Sequence, residues 1–174
     1  MSRSQLGREA YLFVNTGTLS TIGNDPTESG KIWTEIDLAT DVTVDRSKNE
    51  IDSTNRGSAG AGWTVTQQGL KAFKLDFDAH RVAHGEVANA GNDLILGAFD
   101  SNEVVEILEA NQNINTDPIT NVRCTWSRVT VGGGQESQPL DDVVTVSVSL
   151  TNSDIPIPCT GANSAGTITL TPVT

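Results

Sequence analysis

The sequence predicts a mainly β fold, a β-sandwich or barrel of about nine strands with one short flanking α-helix. Three observations carry this prediction. Apolar and polar residues alternate with period two through most of the chain, Gly, Asn, Asp and Pro cluster between those stretches, and one stretch alone has helical spacing. With 174 residues the chain can bury a substantial core, and a single domain over 1–174 is the simplest expectation.

AYLFVN (Ala10–Asn15) is a short apolar strand, followed by TGTLSTIGNDPTESG (Thr16–Gly30). Gly17, Gly23, Asn24, Asp25, Pro26 and Gly30 make that second stretch a loop, since these residues supply turn dihedrals and local side-chain bonds. KIWTEIDL and DVTVDRS read as strands, the latter alternating Val42 and Val44 with Thr43 and Asp45. The segment 45–62 is almost wholly polar and ends in small residues, so it reads as a long inter-strand loop. GWTVTQQ then alternates Trp63 and Val65 with Thr64 and Thr66. LKAFKLDFDAH places Phe73, Leu75, Phe77 and Ala79 on one face and Lys74, Asp76 and Asp78 on the other.

Between Ala88 and Asn102 the spacing changes to that of a helix. Asn92 or Asp93 is the expected N-cap, and Leu94, Ile95, Ala98 and Phe99 form its apolar stripe. EVVEILEA and ITNVRCTWSRVTV resume the strands, and GGGQESQP (Gly132–Pro139) reads as a loop. In DDVVTVSVSLT, Val144, Val146, Val148 and Leu150 alternate with Thr145, Ser147 and Ser149, the pattern of a sheet with one packed face and one wet face. GTITLTPV closes the chain in the same way.

Composition excludes several function classes. No apolar run approaches the ~18 residues of a membrane-crossing helix. The opening MSRSQLGREAYLFVN has no apolar stretch followed by a cleavage site, so export through a removable signal is not expected and cytoplasmic synthesis is. A formal charge of −11 repels nucleic acid, because backbone binding needs Lys/Arg patches and none is visible. A protein past which DNA slides without sticking would suit such a charge. Cys124 and Cys159 are too few for a disulfide framework and match no zinc spacing; two buried, apolar thiols are expected.

No catalytic or cofactor motif emerges. His80 and His84 stand four apart, but four strand residues span about 13 Å, too far for one ion. Asp76 and Asp78 share a strand face, whereas glycosidase carboxylates come from segments across a cleft. Asp141 and Asp142 read as the polar start of a strand. VGGGQ lacks the Lys-[Ser/Thr] of a phosphate loop, and no G-x-S-x-G is present. Trp33, Trp63 and Trp126 could form a sugar platform if exposed, but each lies in an alternating strand, where core placement is the default. No enzyme activity, metal or cofactor is expected.

The order of features across Ile32–Asp78 resembles the major tail tube protein of long-tailed, siphovirus-type phages. The residues that carry the resemblance are WTEIDLATDVTVDRSKNEIDSTNR, Gly62 and Trp63, GLK at Gly69–Lys71, and AFKLDFD. The helix with Asp93 ahead of an apolar stripe, followed by VVEILEA, extends it, so it covers roughly Ala10–Ala110. The C-terminal strands agree in pattern only. The resemblance implies a structural virion protein of the tail tube fold, six copies per ring, with rings stacked into a hollow tube through which DNA passes unbound. It also implies partners such as the tape measure and tail terminator proteins, no membrane, and assembly in the bacterial host cytoplasm. In that family the polar segment reaches from one ring to the next. Asp45, Arg46, Lys48, Glu50, Asp52, Arg56 and Trp63 are then the candidate residues of an inter-ring arm, with mixed charges suited to pairing across an interface. Two alternatives stay open: a monomeric sugar- or protein-binding β-sandwich, and the tube component of a contractile injection or secretion system.

Overall fold

The computed structural model describes residues 11–20, 25–36, 40–52, 66–80, 90–137 and 145–173. The elements in order are β1 (Tyr11–Asn15), β2 (Trp33–Glu35), β3 (Thr40–Asp52), β4 (Thr66–His80), α1 (Ala90–Ser101), β5 (Val104–Ala110), β6 (Ile119–Ser137), β7 (Thr145–Asn152), β8 (Ile157–Ser164) and β9 (Thr167–Pro172). The nine strands form one antiparallel sheet in the order β2-β1-β5-β6-β7-β4-β3, with β8 also bonded to β6 and β9 beside β8. This is the mainly β architecture with a flanking helix that the alternation predicts.

β6 holds the two halves together. Its Cys124–Trp126 stretch lies between β5 and β8, while Val129–Ser137 pairs with β7. The glycines of VGGGQ do not end the strand as expected. The ladder shifts register between Val131 and Gly134, where Gly133 sits at φ 82, and pairing resumes to Ser137. Glycine absorbs a bulge here without a Cβ clash, so the strand bends and continues.

Two apolar clusters occupy opposite sides of the central strands. β1 is buried on both faces: Leu12 and Val14 enter one cluster and Phe13 the other. β5 splits likewise, Val105 and Ile107 against Leu108 and Ala110. The first cluster adds Phe73, Leu75 and Phe77 from β4, Val146, Val148 and Leu150 from β7, and Ile95 and Ala98 from α1. The predicted faces of β4 and β7 are correct at these positions; the Ala79 side chain and Val144 lie outside the described residues. The second cluster gathers Trp33, Trp126, Cys124, Cys159 and Leu170 around Ile114. Each fully buried side chain of this size contributes about 1.5–3 kcal/mol. Both cysteines are free and buried, as expected. Trp33 and Trp126 are core residues, which removes them from any sugar platform; Trp63 lies outside the described residues.

Several expectations are corrected. The last residues of GWTVTQQ, Thr66–Gln68, belong to the same 15-residue strand as LKAFKLDFDAH. β8 was not among the expected strands, because Pro156, Pro158, Cys159 and Gly161 disguise its alternation, although Cys159, Gly161 and Asn163 all point inward. α1 begins at Ala90, so Asn92 and Asp93 lie in its first turn rather than at its cap. Phe99 is 44% exposed, so the buried stripe narrows to Ile95 and Ala98 beside half-buried Leu94. The helix closes at Asn102 in the left-handed region (φ 56), with the Glu103 N–H donating to the Ala98 carbonyl at 3.2 Å, a Schellman-type stop.

Candidate functional site

The predicted loop 45–62 is strand over its first part. β3 runs on to Asp52, and Arg46 pairs with Phe73, Lys48 with Lys71, Glu50 with Gln68 and Asp52 with Thr66. β7 supports β4 only from Lys74 to His80. Thr66–Phe73 therefore has β3 as its sole strand partner among the described residues, and the hairpin overhangs the sheet by seven residue steps, about 23 Å at ~3.3 Å each. A two-stranded ribbon of this kind is marginal on its own and calls for a docking surface. Arg56 and Trp63 lie outside the described residues, as does His84. His80 ends β4 opposite Thr145.

In the sequence, the segment that contains the overhang has the opposite charge sign to the rest of the chain. Residues 46–73 carry Arg46, Lys48, Arg56 and Lys71 against Glu50 and Asp52, a net +2. The whole chain carries −11, which leaves −13 for the remainder.

Arg46 has a partner within its own chain. Its Nη2 donates to Glu109 Oε2 at 2.8 Å, and the guanidinium lies 5.8 Å from the Phe73 ring centroid. β3 and β5 are four places apart in the sheet order, so this pair spans a sheet that curls around the first cluster.

The outer side of β3, β4 and β7 is open and polar at the described positions. Register places Thr43 beside Asp76 and Ser149, Asp45 beside Lys74 and Thr151, and Asp78 beside Ser147. Thr151 in turn faces Thr130. Ser147 Oγ donates to Asp78 Oδ1 at 2.6 Å. The Ser149 hydrogen bond, and then the Lys74 ammonium at 2.9 Å, hold the Asp76 carboxyl below its usual range. Lys74, the one cation in this set, is thus engaged by a carboxylate. Carboxylates and hydroxyls dominate, and no apolar side chain interrupts these positions.

Beyond β1, the described parts of 16–32 form a continuation of the β1–β2 ladder, Thr16 N–H to Ile32 O at 2.8 Å and Thr18 N–H to Gly30 O at 2.9 Å. A buried polar pin fastens it. Glu106 Oε1 accepts the Ser20 N–H at 2.7 Å, while Oε2 accepts Lys31 Nζ at 2.8 Å and Asn15 Nδ2 at 2.9 Å. Lys31 also donates to Ser20 Oγ at 2.6 Å and lies 5.6 Å from the Trp126 ring centroid. Glu106 and Lys31 side chains are 0% and 4% exposed. Burial pushes the Glu106 carboxyl upward, but hydrogen bonds from Lys31 and Ser20 and the Lys31 charge outweigh it, so it titrates below its ordinary value. Sequence reading overlooked this group. The signal was present in VVEILEA, where apolar residues on both faces require the central Glu to be buried, and a buried carboxylate requires partners.

No family model matches the sequence, and no curated protein matches it. Solved structures match by shape. A chain from the tail of an empty gene transfer agent (GTA) particle, reconstructed with C6 symmetry, superposes with a TM-score of 0.58 at 12% identity, covering 88% of this chain and 97% of that one. The SPP1 tail tube chain gives 0.58 at 11% identity, covering 92% and 81%. A chain of the sheath–tube complex of an extracellular contractile injection system, PVC, gives 0.50 at 14% identity, covering 87% and 88%. At identities this low the likeness is one of fold, and the fold is that of tail tube proteins.

Proposed function

We propose that copies of this chain build a hollow phage-type tail tube: rings of six stack end to end, and DNA passes through the lumen without specific binding. The fold supports this, and the overhanging hairpin carries it, because a two-stranded ribbon that runs beyond its supporting strand needs a surface to pack on, and a neighbouring copy would supply one. In this reading 46–73 is the inter-ring arm. Lys48, Glu50, Asp52, Arg56 and Trp63 remain its candidate contacts, while Asp45 and Arg46 stand at its base.

The open face of β7, β4 and β3 is the lumen wall. Its Asp45, Asp76 and Asp78 repel phosphate, its hydroxyls keep the channel wet, and its Lys74 is held by Asp76. Edge strands paired between neighbouring copies would close the wall. The role is mechanical, with no catalytic step. Tape measure and tail terminator proteins would be its partners inside and at the end of the tube, with assembly in the bacterial cytoplasm and the virion tail as destination. The PVC likeness favours one second reading, a tube within a contractile injection system; a neighbouring sheath gene would select it.

Negative-stain microscopy of concentrated protein tests the proposal, beside a variant with 53–65 replaced by a short turn. Tubes from the parent and unstacked rings or subunits from the variant are expected. Tubes of normal length from the variant would remove the arm from the mechanism, and monodisperse monomers at every concentration and salt would count against the tube.

A further inference from the structure

The geometry points to a clamp at the root of the hairpin, made by Arg46, Glu109 and Asn152, that fixes the direction in which the arm leaves the body. Phe73 is the first β4 residue beyond the last β4–β7 pair, Lys74 with Thr151. Three separate interactions converge on this one rung. Arg46, the register partner of Phe73, reaches across the curled sheet to Glu109 at 2.8 Å. The same guanidinium covers the Phe73 ring at 5.8 Å. Asn152 Oδ1 accepts the Phe73 N–H at 3.0 Å, replacing the strand partner that β7 no longer supplies. Asn152 is itself fixed by donating to the Asp154 carbonyl at 3.1 Å.

Phe73 is 3% exposed, so the rung is anchored in the first cluster. Beyond it the ribbon has no third strand among the described residues. A ribbon anchored at one rung behaves as a lever, and a small rotation at the root becomes a large displacement at the tip. Over about 23 Å, a 15° swing moves the end by roughly 6 Å, more than one strand spacing. Arg46 is therefore a positioning residue: its charge is spent inside its own subunit, and it acts on a neighbouring copy through the arm. The Arg46 side chain is 54% exposed, so the clamp adds little to global stability and acts on orientation.

This inference rests on the arm reading, and its test separates the two. Spin labels on Gln68→Cys and Ser153→Cys report the root angle in the soluble subunit, because Cys124 and Cys159 are buried. The parent is expected to give one distance peak. Arg46→Glu or Glu109→Arg alone should at least double its width and raise the critical concentration for tube assembly about tenfold, with a melting temperature within a few degrees of the parent. The Arg46→Glu/Glu109→Arg pair should restore both. Unchanged peak widths in the single variants, or a swap that restores neither readout, would overturn the clamp. If instead the 53–65 variant assembles normally while the peak still responds to Arg46→Glu and recovers in the swap, the clamp stands and the arm reading fails.

Discussion

Replacing Glu106 by Leu should be among the most damaging single changes outside the apolar clusters. Glu106 is wholly buried and accepts three hydrogen bonds, from Lys31, Asn15 and the Ser20 amide. Leucine keeps the volume but leaves the Lys31 ammonium, 4% exposed, without a counter-charge. Removing one partner of a buried pair costs about 3–5 kcal/mol. Asn15 keeps the Thr18 carbonyl, so it loses less, but the buried Ser20 amide loses its acceptor. A domain of this size loses roughly 2–4 °C of melting temperature per kcal/mol, so a fall of roughly 6–20 °C is expected. Urea denaturation of the soluble subunit gives the free energy directly. Lys31→Met combined with Glu106→Leu should recover the Lys31 share, because an apolar pair of similar volume is near neutral, and should leave the Ser20 amide unpaired. The pH dependence follows from the lowered Glu106 pKa. The stabilisation is present above the unfolded value near 4.5 and is lost as pH falls through the lower folded value. The parent should therefore lose more stability than the Leu variant between pH 7 and pH 3. A destabilisation under 1 kcal/mol, with matching pH profiles, would refute the buried pin.

Gly161→Ala would place a Cβ 2.5 Å from Ile114 Cδ1 and 3.6 Å from Cys124 Sγ, so a destabilisation of about 1–3 kcal/mol is expected by urea titration. Gly17→Ala would drive a Cβ into the Gly30 carbonyl and 2.8 Å from the Ile32 amide, both backbone, so hydrogen exchange should quicken at the Thr16 and Thr18 amides while the β6 amides keep their protection. Burial pushes the Cys124 thiol to about 12 and the Cys159 thiol to about 11, so neither should react with iodoacetamide at pH 8 until the protein unfolds; stoichiometric labelling of the native chain within minutes would contradict the second cluster. Because a depleted thiolate is a folded-state property, stability should also fall as pH rises above the ordinary thiol range.

The sequence was legible where one side of a strand meets water. Phe73, Leu75 and Phe77 on β4, and Val146, Val148 and Leu150 on β7, alternate with polar residues and were assigned to the correct face. It was less legible where both sides are buried or where ends are set by neighbours. β8 buries small residues just after two prolines, and its packing with Cys124 and Ile114 decides its conformation against its local propensity. The polar run after Asp45 reads as a loop by composition but is held in a strand through Asp52 by pairing with β4. Glycines 132–134 look like a turn, yet pairing of Gly134 with Val148 continues the ladder. The Arg46–Glu109 clamp joins residues 63 apart in sequence, and no local pattern announces it. The charge inversion of 46–73 was present in the sequence throughout, but the boundaries that make it meaningful come from where β7 stops supporting β4.

A cryo-EM reconstruction of the assembled protein would show where the open face and the hairpin lie. A hollow tube is expected, in which Asp76, Asp78, Ser147 and Ser149 line the channel and the segment 46–73 crosses from each ring onto a subunit of the next. A particle in which that open face is packed against another subunit or turned outward, or in which the ribbon folds back on its own chain, would contradict it.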